Sequence, residues 1–145
     1  MATAYSTDVI AWANEQAALL RAGNFGALDI EHIADEVEDV GKSERRELMS
    51  RMVVLLVHLL KWRFQPERRG ASWQTTVRHQ RRLIDLDLQE TPSLKVSLAD
   101  AAWQEKAWLA AVGQASSVTN MGEDIFPEIC PWTTDQILDQ AFLPD

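Results

Sequence analysis

The sequence has no second cysteine: Cys130 stands alone in 145 residues. That excludes an internal disulfide framework and fits a reducing compartment. Long apolar runs are also missing. The longest, 52–60, spans nine residues and contains His58, well short of the ~20 needed to cross a bilayer. The N-terminal MATAYSTDV has neither the basic nor the apolar region of a secretory signal. The expected location is therefore the cytoplasm, without a membrane. Period-two alternation is absent, so no strand is expected. Metal signatures are missing too. There is no HExxH, and Leu55 and Thr76 occupy the positions where the Glu-x-x-His pairs of di-iron bundles carry glutamate. No metal and no cofactor are expected.

What is present reads as one soluble domain, 1–145, with a short unstructured N-terminus over about residues 1–5. Hydrophobic residues make up 46% and charged residues 25%, a balance that supports a packed core. Net charge is −8, unevenly spread. Segment 61–82 holds seven of the fourteen basic residues against one acid, Glu67, while the remainder is strongly acidic.

Apolar residues recur at i, i+3, i+4 and i+7, which predicts an all-α bundle of four to five helices. The first helix runs over about 7–22, capped by Ser6 or Thr7, and ends before Gly23. Asp29 caps the second, which has no proline from Ile30 to Phe64. It reads as one long helix, or as a pair broken at Gly41. Its first third should face inward through Ile30, Ile33, Ala34, Val37 and Val40. Its last third, MVVLLVHLLKWRF, is apolar nearly all round. Ser72 caps a third helix with the stripe Trp73, Val77, Gln80, Ile84 and Leu88. A fourth begins at Thr91-Pro92 and carries Leu94, Leu98, Ala101, Glu105, Trp108 and Val112 on one line. Thr133 and Gln136 form the capping box of a short last helix.

Three blocks bear a further likeness: YSTDVIAWANEQAALLRAGNFGALDIEHIADEVEDV with its continuation through HLLKWRFQPERR, then SWQTTVRHQRRLI, then FPEICPWTTDQILDQAFLP. With them the chain resembles the bacterial domain-of-unknown-function 29 family over nearly its whole length. The resemblance implies an all-helical domain of bacterial origin. It implies no activity and carries over no functional residue.

Candidate chemistry falls into three groups. Gln80 and Glu105 interrupt core-facing stripes, and a buried carboxylate must be paired or protonated. An antiparallel hairpin of the second and third helices brings His58 and His79 to similar heights. Together His58, His79, Gln80 and Glu105 define a candidate pocket or polar network between helices 2, 3 and 4. The spacing of Glu47, Arg51, Val54, His58 and Lys61 puts His58 at the edge of the core. In the second group, Arg68, Arg69, Arg78 and Arg82 mark a basic surface in a segment that also holds Trp62, Phe64 and Trp73. Internal pairing with Glu123, Asp124 and Glu128 is its expected use, and an anionic protein partner or nucleic-acid or phosphate binding are the alternatives. In the third, His32, Asp35, Glu36 and Asp39 form an acidic row opposite the apolar stripe, expected to face solvent or a partner. Cys130 has no adjacent base and no electropositive setting for a reactive thiolate.

These features point to a non-catalytic interaction or adaptor module, not an enzyme, with another protein or a second copy as partner. The alternatives are a small-ligand or metal-dependent bundle enzyme using the candidate pocket, and phosphate or nucleic-acid binding through 61–82.

Overall fold

A computed structural model describes residues 2–145. Its helices are α1 (Val9–Ala22), α2 (Ile30–Phe64), α3 (Ala71–Glu90), α4 (Lys95–Ala99), α5 (Ala101–Thr119) and α6 (Thr134–Leu138), and no strand occurs among the described residues. The protein is all-α. Contacts divide it into two units, Met1–Ser43 and Glu44–Asp145. The boundary falls inside α2, which runs unbroken through Gly41 for 35 residues.

In the second unit the core is built on the C-terminal part of α2. Leu48, Leu55, Leu59 and Leu60 are fully buried with Ile84 of α3. Ala107, Trp108, Ala111 and Ala115 of α5, and Ile137 of α6, complete the cluster. Trp108 fills space in this cluster and donates from its indole nitrogen to the Pro127 carbonyl at 3.0 Å. Thr133 and Gln136 form the expected capping box of α6.

The predicted fourth helix is two helices. Asp100 is extended (φ −83°, ψ 121°), and its carboxylate accepts from the Trp103 amide at 2.9 Å, so it ends α4 and caps α5. That break resets the helical phase. Leu94 and Leu98 remain buried, but the inward line of α5 passes through Ala107, Trp108, Ala111 and Ala115. Glu105 is consequently exposed and not core-facing. Caps moved as well: Asp8, not Ser6 or Thr7, caps α1 through bonds to the amides of Ile10 and Ala11. At α3 the capping position is Gly70, without a side-chain bond, in place of Ser72.

In the first unit the expected inward face of α2 is largely uncovered: Ile33 is partly buried, while Ala34 is exposed. Ile30, Val37 and Val40 are 67%, 67% and 66% exposed, although their spacing marks them as the inward stripe. Trp12 is the one buried hydrophobic residue of this unit among the described residues. The physical reason is that α1 docks on the polar flank of α2 instead. Residues 2–4 form no helix, yet the Thr3 amide and hydroxyl each donate to Glu15 at 2.7 Å. Part of the expected unstructured terminus, Met1, lies outside the described residues.

Candidate functional site

Asp29 is the hub of the polar flank. Its carboxylate receives the Trp12 indole N–H at 3.0 Å and the His32 Nδ1–H at 2.8 Å, and its amide donates to Gln16 at 2.8 Å. A weaker bond from the His32 amide at 3.4 Å completes the helix cap. Burial pushes the Asp29 carboxyl up, but the His32 and Trp12 bonds outweigh it and hold it below the ordinary range. Tyr5 lies flat on the His32 ring, with centroids 4.3 Å apart, and Trp12 meets both rings edge-on. The Tyr5 hydroxyl donates to Glu36, and that bond raises the phenol's pKa.

His32 and Glu36 are therefore half-buried structural members and not free faces of an acidic row, whereas Asp35 and Asp39 are exposed as expected. The cluster has a His–carboxylate pair, and one face of its imidazole is covered by Tyr5. It fastens α1 to α2. Sequence reasoning missed Tyr5, Trp12 and Gln16 as its members. The available signal was Asp29 three residues before His32, since an N-cap carboxylate reaches that position.

In the second unit His58, His79, Gln80 and Glu105 do not form one network. His58 is half-buried at the edge of the core, with Nδ1 2.8 Å from the Val54 carbonyl of its own helix. His79 and Glu105 are exposed, and no hydrogen bond links any two of the four among the described residues. Gln80 is partly buried, its side-chain carbonyl enclosed without a donor. The expected hairpin of α2 and α3 is held by Arg51, whose Nε donates to Asp87 at 2.8 Å and whose other end pairs with Glu47. Farther along, the Lys61 ammonium stands 4.7 Å from the Trp73 ring centre.

The acids 123, 124 and 128 do not neutralise the basic segment. Among the described residues the ion pairs are His32–Asp29, Arg51–Glu47 and Arg51–Asp87. Arg68, Arg78 and Arg82 are exposed. Arg69 folds back, donating to the Trp62 carbonyl at 2.6 Å with its guanidinium over the Trp62 ring. The residue that sequence reasoning passed over is Arg81. It is only 2% exposed, between Val77 and Ile84 on the buried face of α3. Its i−4 and i+3 neighbours on that stripe were the signal. Its Nε donates to the Ile137 carbonyl at 2.7 Å, while Nη2 is buried without an acceptor. Burial pushes its pKa down, and the charge of Asp139 partly offsets this.

Cys130 is partly buried, its thiol 3.4 Å from the Trp132 carbonyl, and burial raises its pKa away from the thiolate form. No group of three or more His, Cys, Asp or Glu residues among the described residues is arranged to hold a metal ion. No described helix is long and apolar enough to cross a membrane.

The family described as Domain of unknown function DUF29 matches residues 4–143. The chain belongs to the DUF29 family. No curated protein and no solved structure matches it. The family's description carries no activity with it.

Proposed function

We propose that this DUF29 protein is a non-catalytic interaction module of the cytoplasm, whose N-terminal unit receives a basic, amphipathic helix from a partner protein. The carrying observation is the stripe Ile30, Val37 and Val40, each about two-thirds exposed on one side of α2. Apolar side chains at i, i+7 and i+10 share a face and have the spacing of a helix-packing seam. Exposed apolar side chains aligned on a helix serve recognition. Charge selects the partner's sign. Residues 1–43 hold eight acidic side chains against two basic ones, Arg21 and Lys42. A second copy would bring the same net −6 to the seam, whereas a Lys/Arg-flanked helix gains from it.

The test uses the intact protein and a labelled synthetic helix with leucine at a and d positions and lysine elsewhere. Saturable anisotropy, weakened at least tenfold by Val37→Asp and by added salt, is expected. Equal binding of a glutamate-flanked peptide, or none of the lysine peptide at ~100 μM, overturns the reading. A dimer in light scattering that Val37→Asp dissociates would instead assign the stripe to a second copy.

A further inference from the structure

We propose that Arg81 and Arg78 form a binding site for a small oxyanion, a carboxylate or phosphate group. The inference is independent of the interaction surface on the N-terminal unit. A cavity of about 170 Å³ is lined by Gln74, Val77, Arg78 and Arg81 of α3 and by Gln140 and Leu143 of the C-terminal segment. Four of these six side chains are polar, and none is acidic. Arg78 and Arg81 are three residues apart and so share a face of α3.

The decisive group is Arg81. A guanidinium at 2% exposure has left most of its hydration behind. No carboxylate of the described residues lies within ion-pair distance of it. One nitrogen, Nε, is satisfied by the Ile137 carbonyl, and Nη2 meets no acceptor. A largely buried cation with no carboxylate in contact is costly, and Nη2 is closed off from solvent without an acceptor. An oxyanion in the neighbouring cavity supplies the missing countercharge, and the planar guanidinium matches carboxylate or phosphate oxygens. Arg78, exposed at the rim, adds a second positive charge, and the Gln74 and Gln140 amides can donate to the remaining oxygens.

Size restricts the class. The cavity has room for about five or six waters at ~30 Å³ each, and it is smaller than the ~300 Å³ at which drug-sized pockets begin. Acetate, a short dicarboxylate or inorganic phosphate fits these dimensions. A second cavity of about 250 Å³ shares Arg81 and Gln140 with the first and also includes Asp85, Ile84, Leu88 and Leu138. Its carboxylate repels anions, so the site belongs on the Arg78 side. Asp139 is the acid whose charge reaches Arg81, and it lines neither cavity.

The experiment is thermal unfolding of the full chain in sodium phosphate, sodium acetate or sodium chloride at matched ionic strength and pH. Saturable stabilisation by phosphate or acetate, raising Tm by about 3 °C or more over chloride, is expected. A larger effect of phosphate assigns a phosphoryl ligand, and a larger effect of acetate a carboxylate. Arg78→Ala, at an exposed position, should fold normally and lose most of the shift, and Gln140→Ala should reduce it. Arg81→Gln should abolish it; if that variant fails to fold, the Arg78→Ala result decides. Stabilisation no greater than chloride, or a shift unchanged in Arg78→Ala, overturns the proposal.

Discussion

Burial pushes the His58 imidazole below its ordinary pKa, and nearby Lys61 adds to this, while the Val54 carbonyl partly opposes it. The neutral ring is therefore favoured in the folded state. The unfolded chain takes up a proton first as pH falls through about 6.5, so this contribution is intact above that pH and is lost as pH falls towards the lower folded value. Urea unfolding from pH 8 to pH 5 should show stability falling with pH, and His58→Gln should reduce that slope; an unchanged slope would show the ring is not responsible. Asn120 is a second residue with a defined cost. It ends α5 at φ 58°, the left-handed region that glycine and asparagine tolerate. Asn120→Ala should cost about 1 kcal/mol and Asn120→Gly should be near neutral, as read from denaturant midpoints. A larger loss for glycine than for alanine would contradict the conformational explanation.

Among the elements, the C-terminal apolar third of α2 was legible because its residues are apolar on nearly every side and need no register to be assigned. Of its residues 52–60, all but Val54 and His58 are buried. The α4–α5 junction was not, because Leu94, Leu98 and Trp108 fall on one line only if the helix is unbroken. A single carboxylate at Asp100 changed the phase and moved Glu105 to the surface. Asp100→Ala should cost about 1 kcal/mol by removing the bond to the Trp103 amide. Asp100→Asn or Asp100→Ser should restore most of it, and failure of both to do so would show that the side chain is not acting as a cap. The acidic third of α2 was misread for a related reason. Periodicity finds a helix's apolar face but does not say whether this chain covers it. Here Tyr5, Trp12 and Asp29 make polar and aromatic contacts strong enough to choose the opposite flank.

Over the whole molecule, burial is distributed unequally between the two units. Residues 1–43 bury one hydrophobic side chain among those described, Trp12, whereas the second unit contains the entire cluster from Leu48 to Ile137. Few buried apolar contacts mean low local opening free energy. Hydrogen exchange should therefore show amides of α1 and of the first third of α2 exchanging well before those of residues 52–60. Equal protection along α2 would refute the inequality, and a basic helical ligand should selectively slow exchange in the first unit. Charge follows the same division. The N-terminal unit carries −6 of the total −8, while the basic segment 61–82 and an offsetting acidic remainder lie in the second unit.

Continuity of α2 through residue 43 also decides how the polypeptide can be divided. Proteases find loops, and the border between the two units is a helical backbone with its amides already engaged. A chain ending at Ser43 would create a blunt helix terminus with four carbonyls lacking helical partners. Either unit made alone should therefore begin or end several residues beyond the border, with a capping residue added, if it is to hold its own helix to the last turn.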